Sequence, residues 1–373
     1  MYLKMANVNL ESEILKNFGG ASVNNLKNVL QNTDGIDYEI RTFDHSPYFD
    51  SYSIDKALCP NTEKFTILSI NIQSINAKFD KLTAFLQDLL DKEFSFSAIC
   101  IQETWLSDKS MVSQFEIPDY NLISQGKRVS EHGGLCIYIH KKFTYSLLQL
   151  NDNSRTWEGL FVDIFGNNLN HKITLANIYR PPQRNNCNAS IEKFINEIKP
   201  VLAYIDKGNC TKIVCGDFNV NLLEINDRDK YQEYFDLFVT RGFYPKLTLP
   251  TRLSKKRGTL IDQVFCKPAY INQRNSAGIC VSNLSDHLHY FYCIDTGSQK
   301  KECPPKFIKI NPKYTEDAID SFNINVQNLL LETPLNTQLF GDPNENYKKF
   351  ENILPKAVLN ASHPGLSNVK DIN

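Results

Sequence analysis

The chain has 373 residues, of which 42% are hydrophobic and 22% are charged, and its formal net charge is -1 at pH 7. This length and composition predict a globular protein with a sizeable core, built as one large domain or two smaller ones. The near-zero charge gives no global attraction to nucleic acid, so any polyanion site must be a local patch. No apolar run reaches 18 residues, which excludes a transmembrane helix and predicts no membrane partner.

The cysteines and the N-terminus indicate an intracellular protein. The ten cysteines form no Cys-x-x-Cys pair, and several lie inside apolar runs, as Cys100, Cys136 and Cys215 do. Buried reduced thiols explain this pattern better than a disulfide framework does. The first residues lead into polar, Asn-rich sequence without the apolar core of a signal peptide, so none is expected.

Taken in chain order, the chain divides into three segments. Residues 1–63 are polar, have weak hydrophobic periodicity, and predict a partly ordered leader with one short helix near residues 23–30. Residues 64–296 carry the strand and helix patterns of the main domain. Residues 297–373 begin with Pro304-Pro305 and predict a partly helical tail.

Strand and helix patterns interleave in the main domain. Strands are predicted at 65–72, 98–101, 135–139, 159–164, 173–179, 213–215, 260–265, 279–281 and 288–294. Helices are predicted around 82–90, from a cap at Ser190 through 205, and around 231–240. Because several strands follow one another directly, the pattern suits mixed sheets covered by helices on their outer faces.

Polar side chains stand at or just past the ends of these strands. They are Asn71, Glu103, Tyr179, Asp217, Asn219, Asp262, Asp286 and His287. Ligand sites of layered α/β proteins gather at strand ends. Each residue also has an ordinary structural explanation: the segment from Gly216 to Asn219 as a turn, or His287 as a structural histidine. Asp262 lies in an apolar strand and requires a partner, because burying an unpaired carboxylate is costly.

Together these residues supply the parts that phosphodiester hydrolysis requires. Glutamate and aspartate are hard oxygen ligands suited to Mg²⁺ or Mn²⁺, and no His/Cys cluster has zinc spacing. A histidine held by a buried aspartate acts as an acid, a base or a phosphate donor. Amides and a phenol donate hydrogen bonds to a phosphate.

Six segments occur in an order typical of one known family. They are Ser69-Ile70-Asn71-Ile72-Gln73, Gln102-Glu103-Thr104-Trp105, Asn177-Ile178-Tyr179-Arg180-Pro181-Pro182, Gly216-Asp217-Phe218-Asn219, Leu260-Ile261-Asp262 and Ser285-Asp286-His287. Over residues 65–294 the chain resembles the endonuclease/exonuclease/phosphatase superfamily, and more narrowly the apurinic-type endonuclease of non-LTR (LINE-like) retrotransposons of the jockey/CR1-like branches. The resemblance implies a four-layer α/β sandwich, with two mixed β-sheets face to face and helices outside. It also implies a metal-dependent DNA endonuclease that nicks one strand and leaves a 3′-hydroxyl.

The resemblance implies a role for each carboxylate and amide of the metal side. Glu103 looks like the main ligand of Mg²⁺ or Mn²⁺, with Asn71 beside it. Asp217 is expected to orient or deprotonate the attacking water, and Asn219 to bind the scissile phosphate. Asp286 is expected close to the metal side of the site.

On the phosphate side, His287 is expected to contact the phosphate and Asp262 to orient His287. Tyr179 is expected to donate to the phosphate or to steady the leaving oxygen. Two residues depart from the family pattern: Pro182 stands where repair-type relatives carry asparagine, and Gln263 where many relatives have histidine or tyrosine. Proline is usual in the retroelement branch, so Pro182 favours that subtype.

The resemblance also indicates how DNA is bound. Thr251 matches a threonine that lines the DNA cleft in relatives. A basic loop supplies the local anion patch that the neutral chain requires, although a solvated hairpin explains its charge equally well. The loop residues are Arg252, Lys255, Lys256 and Arg257.

Double-stranded DNA is the expected partner of a monomeric protein, with retroelement RNA or proteins as further candidates, and a DNA substrate implies nuclear as well as cytoplasmic localisation. Residues 342–350 resemble the segment that joins endonuclease to reverse transcriptase, and no Ala-Asp-Asp motif is present. We therefore expect a fragment of a retroelement reading frame that does not copy RNA. Two alternatives stay open: a repair-type apurinic endonuclease or another phosphoesterase, and a catalytically inactive DNA- or protein-binding remnant.

Overall fold

The structure is a computed structural model that divides into two compact units, Met1–Gln299 and Lys300–Asn373. In the first unit it describes residues 16, 23–26, 28, 46–50, 64–107, 113–127, 129, 131–150, 154–182, 187–255, 257–270 and 273–297. In the second unit it describes residues 320, 323–324 and 326–328, which are helical. The predicted linker segment at 342–350 and Lys256 lie outside the described residues.

In the first unit the structure gives bounds for fifteen strands and three α-helices, and residues 16, 23–26 and 28 are also helical. The strands are Tyr48–Asp50 (β1), Lys64–Asn71 (β2), Ala98–Gln102 (β3), Tyr120–Gln125 (β4), Leu135–His140 (β5), Thr144–Leu147 (β6), Glu158–Phe165 (β7), Ile173–Tyr179 (β8), Thr211–Asp217 (β9), Tyr244–Pro245 (β10), Arg252–Leu253 (β11), Gly258–Thr259 (β12), Asp262–Lys267 (β13), Asn275–Val281 (β14) and His289–Asp295 (β15). The helices are Ile75–Leu90 (α1), Cys187–Ile205 (α2) and Asp229–Val239 (α3), with a 3-10 helix at Leu222–Asp227. These helices are too short or too polar to span a bilayer.

Two large mixed sheets form the body of this unit. The seven-stranded sheet has the order β1-β14-β15-β2-β3-β5-β4, and the six-stranded sheet has the order β10-β13-β9-β8-β7-β6. Each sheet has a central parallel pair, β2 with β3 and β8 with β9. Parallel neighbours need a crossover, and α1 and α2 supply it. Strands β11 and β12 form a separate hairpin.

The alternation of side chains along each strand builds four layers. In the first sheet Ile67 and Cys100 face a core shared with the second sheet, whereas Leu68 and Ile99 pack with α1 residues in a second core. On the far side, Phe265 of β13 stacks on Phe238 of α3 at a ring-centroid distance of 4.1 Å. Burying each such side chain contributes about 1.5–3 kcal/mol. The predicted four-layer α/β sandwich is therefore confirmed.

Some local predictions differ from the structure. Ser190 does not cap α2, because the helix already begins at Cys187 and the Ser190 hydroxyl accepts a hydrogen bond from Arg180 Nη2 at 2.9 Å. Strand β6 was not predicted because its four residues are too few to show a period, and all four are exposed in the structure. Short two-residue strands such as β10 give no sequence pattern at all.

The segment predicted as a leader contributes to the sandwich. Strand β1 pairs in parallel with β14, so the first sheet extends before residue 64. The Tyr48 hydroxyl donates to the carbonyl of Pro250 at 2.8 Å. Val23 and Leu26, which are helical, belong to the shared core. The N-terminal segment therefore helps to hold the Pro250–Thr251 turn that precedes the basic hairpin.

Candidate active site

The strand register brings the polar residues at the strand ends to the same end of both sheets. Asn71 pairs with Gln102 at the end of β2 and β3, directly before Glu103. In the second sheet Asp217 lies between Tyr179 on one side and Asp262 on the other. A cavity of about 340 Å³ opens there. Its lining residues are Gln73, Glu103, His132, Tyr179, Pro181, Pro182, Asp217, Asn219, Arg252 and His287.

Unusual backbone conformations aim side chains into this cavity. Gly216 has a φ of 136°, and a Cβ at this position would overlap the carbonyl oxygen of Ile178, so only glycine fits. Glu103 and Asn219 have φ values of 53° and 47°. A left-handed conformation costs a non-glycine residue about 1–2 kcal/mol. Such strain concentrates at functional sites, because the surrounding structure must hold it in place.

Asn71 and Glu103 form the side of the site that suits a metal. Asn71 Nδ2 donates to Glu103 Oε1 at 2.8 Å and to Asp217 Oδ2 at 2.9 Å. Because carboxylates only accept, this fixes the amide orientation and leaves Asn71 Oδ1 pointing away from them. Asn71 Oδ1 is buried and has no hydrogen-bond partner among the described residues. An unpartnered carbonyl oxygen beside a carboxylate fits the ligand preference of Mg²⁺ or Mn²⁺.

Asp217 is fully buried between two hydrogen-bond donors. Its Oδ2 accepts from Asn71 Nδ2, and its Oδ1 accepts from the backbone N–H of Asn219 at 3.0 Å. Burial, together with the nearby Asp262 carboxylate, raises the pKa of Asp217 to about 7, although His287 opposes the shift. A carboxylate with such a pKa is able to take a proton from water near neutral pH.

His287 is held by Asp262. The ring nitrogen Nδ1 lies 2.9 Å from Asp262 Oδ2 and 4.0 Å from Asp217 Oδ2. Burial lowers the pKa of His287, but the charge and hydrogen bond of Asp262, and the charge of Asp217, raise it to about 9. The imidazole is then protonated at neutral pH. Since Nδ1 faces Asp262, the other ring nitrogen remains to donate into the cavity that His287 lines.

A second set of possible ligands lies deeper. One ligand atom each from Asp217, Asp262 and His287 fall within 4.8 Å of one another. However, His287 Nδ1 and both Asp262 oxygens already bond to each other, and Asp217 accepts from Asn71 and Asn219. A cation there would displace these bonds. The Asn71–Glu103 side therefore fits a metal better.

Comparison with known proteins places the chain in a family. The model of the Endonuclease/Exonuclease/phosphatase family matches residues 68–287, which is more than half of the chain. The chain belongs to this family. Its members are hydrolases that act on phosphoester bonds and generally use divalent metals. The matched range begins in β2 and ends at His287, so it contains every polar strand end described above.

Solved structures share the fold at low sequence identity. An AP endonuclease, LMAP, from Leishmania major has 12% identity and a TM-score of 0.52, and the match covers 74% of this chain and 98% of that one. The endonuclease domain of TRAS1, a telomere-specific non-LTR retrotransposon, has 16% identity and a TM-score of 0.46, covering 63% and 100%. A Neisseria 3′ phosphatase, NExo, bound to a product DNA hairpin has 14% identity and a TM-score of 0.45, covering 62% and 99%. No curated protein sequence matches the chain.

Thr251 is placed differently from the expectation that it lines the cleft. It is completely buried, and its hydroxyl donates to Asp262 Oδ2 at 2.8 Å while accepting from the Asp262 backbone N–H at 3.1 Å. Thr251 lies next to the His287 segment because its backbone carbonyl accepts a hydrogen bond from the Leu288 backbone N–H. The expectation that it lines the DNA cleft is therefore corrected. Thr251 therefore positions the Asp262–His287 pair.

The predicted basic patch is partly neutralised in the structure. Arg252 lines the cavity and pairs with Asp286 at 2.7 Å, and Arg257 pairs with Glu224 at 2.9 Å. Burial alone would raise the pKa of Asp286, but the charge of His287 and the hydrogen bond and charge of Arg252 hold it below its ordinary value. The Asp286 side chain is half exposed and lies outside the cavity lining. Lys255 is exposed.

Two features of the site had no assigned role in the sequence. Arg180 is buried and donates through Nη1 to the carbonyls of Phe218 and Asn219, while Asn219 Nδ2 donates back to the Arg180 carbonyl at 2.8 Å. Arg180 therefore holds in place the segment that directly follows Asp217 at the end of β9. An arginine directly after a buried strand was the available signal, because a buried cation requires partners. His132 is the second feature, and no local pattern predicted its place in the cavity.

Proposed function

We propose that the protein is a divalent-metal-dependent DNA endonuclease that nicks one strand and leaves a 3′-hydroxyl. Family membership supports phosphoester hydrolysis. The observation that carries the proposal is the meeting of Asn71–Glu103, Asp217 and the Asp262–His287 pair at one cavity. These groups correspond to a metal site, a base and a phosphate donor.

Asn71 Oδ1 and the Glu103 carboxylate are the groups that hold Mg²⁺ or Mn²⁺. When bound, the ion supplies positive charge that stabilises the negative charge of the phosphorane-like transition state. Both Glu103 oxygens already accept one N–H each, from Asn71 and from Trp105. This fixes the orientation of the carboxylate before any ligand arrives.

Asp217 is the proton acceptor of the reaction. It takes a proton from water while the water oxygen forms a bond to phosphorus and the bond from phosphorus to the 3′ oxygen breaks. The products are a 5′-phosphate and a 3′-oxygen, which takes up a proton from solvent water and leaves as a hydroxyl, while the proton on Asp217 returns to solvent. Asn219 and protonated His287 donate to the non-bridging oxygens. Tyr179, which lines the cavity, donates to the phosphate or steadies the leaving oxygen.

DNA is the proposed substrate because of the ligand chemistry and the sequence motifs. Arg252 places a guanidinium on the cavity wall, and the β11–β12 hairpin adds exposed cations beside it. The Tyr-Arg-Pro-Pro segment that ends at Pro182 favours retroelement-type nicking over abasic-site repair. Within the proposed reaction, the 3′-hydroxyl left at the nick is the primer end for reverse transcription.

A nicking assay tests the proposal. The protein is incubated with supercoiled plasmid and with an abasic oligonucleotide, in Mg²⁺ and in EDTA. We expect Mg²⁺-dependent nicking of intact plasmid that is abolished in Glu103→Ala and in Asp217→Ala. Asp88→Asn, which alters an exposed carboxylate on α1, serves as the matched control and retains activity.

The same assay separates the alternatives. Cleavage confined to the abasic oligonucleotide would favour the repair enzyme. Binding of plasmid without cleavage in any divalent metal would favour the inactive remnant. Extension of the nicked plasmid by a DNA polymerase, without prior end repair, reports the 3′-hydroxyl.

A further inference from the structure

Trp105 is an exposed aromatic ring fixed beside the metal side of the site. Its indole is 36% exposed, whereas the chain's other tryptophan, Trp157, is completely buried. The Trp105 indole N–H donates to Glu103 Oε2 at 3.2 Å. The ring therefore stands at the rim of the cavity, in direct contact with a residue that lines it.

Two further contacts hold the Trp105 segment, whose backbone is strained. Trp105 has a φ of 58°, and its backbone N–H donates to the Gly133 carbonyl at 2.9 Å. The His132 ring packs edge-on against the indole at a centroid distance of 4.8 Å. The strained backbone costs about 1–2 kcal/mol. Burial of the ring does not fully offset this cost, because the ring stays exposed.

A buried carboxylate holds the loop that carries His132. Glu158 is fully buried and accepts from the backbone N–H of Gly134 at 2.6 Å and from that of Val129 at 2.9 Å. A Cβ at Gly134 would overlap the Thr104 hydroxyl, so the loop packs tightly against the Trp105 segment. The Trp105–His132 pair is thus preorganised, and a ligand that stacks on it loses little conformational entropy on binding.

We infer that Trp105 stacks on a nucleobase that flanks the scissile phosphate, so that the enzyme prefers DNA in which this base is unpaired or easily unstacked. The inference rests on the proposed function. A phosphate seated between Glu103 and His287 places a neighbouring nucleotide at the rim that Trp105 occupies. A base inside a duplex has both faces covered, so stacking on the indole requires the base to leave its neighbours.

Stacking of a base on an aromatic side chain contributes about 1–3 kcal/mol, which corresponds to about a fivefold to hundredfold change in affinity. Replacement of Trp105 by leucine should therefore weaken binding to an oligonucleotide with one unpaired base by this factor. A fully paired duplex should lose less affinity. Trp105→Phe keeps a ring, loses the N–H to Glu103, and should bind within about threefold of the wild type.

Tryptophan fluorescence provides a direct readout, because only Trp105 of the two tryptophans is exposed. The full chain is titrated in EDTA, so that neither cleavage nor metal binding contributes. We expect an oligonucleotide with an unpaired base to quench the wild-type emission and to leave Trp105→Phe, in which only Trp157 emits, unchanged. His132→Leu should reduce the affinity by a smaller factor than Trp105→Leu.

Binding without quenching, or equal affinity of Trp105→Leu and the wild type, would overturn the inference and leave the proposed nuclease function standing. In that case Trp105 only positions Glu103, and cleavage would fall while DNA affinity stays constant. A chain that neither binds DNA in EDTA nor nicks plasmid in Mg²⁺ would overturn both proposals together.

Discussion

Two buried polar clusters lie on the same strands, and their chemistry differs. In the interior cluster, Gln102 Nε2 donates to Ser69 Oγ at 3.1 Å and to Asn177 Oδ1 at 2.6 Å, while Asn177 Nδ2 donates to two backbone carbonyls. Every member is neutral. The cleft cluster begins one residue further along, at Glu103, and it contains the ionisable side chains of Glu103, Asp217, Asp262 and His287.

The difference indicates what each cluster is for. The hydrogen bonds of these neutral amides contribute about 1 kcal/mol each and join the two sheets, although Gln102 Oε1 has no partner among the described residues. In the cleft, Asp217 and Asp262 lie near each other at almost complete burial, and this raises the pKa of Asp217 to about 7. Buried like charges destabilise the fold. The interior cluster therefore serves stability, and the cleft cluster serves chemistry.

The largest expected effect is on catalysis. Asp262→Asn keeps the shape of the side chain but no longer stabilises protonated His287, so the turnover of DNA cleavage should fall by about 10²–10⁴-fold. DNA affinity in EDTA should stay nearly constant. Single-turnover kinetics and filter binding measure the two quantities, and a parallel loss of affinity would refute the positioning role of Asp262.

The interior cluster should respond in the opposite way. Asn177→Leu removes the two hydrogen bonds that Asn177 Nδ2 donates to the carbonyls of Ile101 and Cys136 and the one that its Oδ1 accepts from Gln102, so the free energy of unfolding should fall by about 3 kcal/mol. Urea unfolding measures this change. Turnover of the remaining folded protein should stay within about threefold of the wild type. Loss of turnover at unchanged stability would contradict the division between the clusters.

Two buried histidines, His287 in the cleft cluster and His289 at the start of β15, predict opposite pH effects. Burial lowers the pKa of His289 to about 4, whereas the pKa of His287 is raised to about 9. The unfolded chain binds the His289 proton below about pH 6.5 and the folded chain does not, so the contribution of His289 to stability should decrease as pH falls. Between pH 7 and 5 this contribution should fall by about 2 kcal/mol, read in urea unfolding as the change in the difference between wild type and His289→Gln. The raised pKa of Asp217 acts in the opposite direction in both proteins and cancels from that difference. His287 should lose its stabilising contribution as pH rises from about 6.5 to 9.

The smallest expected effect concerns Thr251, whose hydroxyl donates to Asp262 of the cleft cluster. Thr251→Val removes the hydroxyl that donates to Asp262 and should lower turnover about tenfold. Thr251→Ser retains the hydroxyl and should restore most of the turnover. Direct contact of Thr251 with DNA would instead appear as a loss of affinity in EDTA for Thr251→Val.

Local pattern and family resemblance predicted nine of the fifteen described strands, the four layers and the placing of the cleft residues at strand ends. Residues with long-range partners were harder to predict. The resemblance assigned Thr251 to the DNA cleft. Its burial was not predicted, because it depends on β13 and on Leu288, which are distant in sequence. The hydrogen bonds of Arg180 and the core position of Val23 depend in the same way on contacts between distant segments. Strand β1 has three residues, too few to show a period.

Asp217→Asn tests most directly whether the cleft cluster is a phosphodiester-cleaving centre. Plasmid nicking in Mg²⁺ and urea unfolding are measured on the same preparations of wild type and variant. We predict a loss of nicking by at least about 10³-fold, because the proton acceptor is gone, with unfolding free energy equal to or above that of the wild type. Nicking that persists in Asp217→Asn, or a loss of nicking explained by unfolding, would contradict this account.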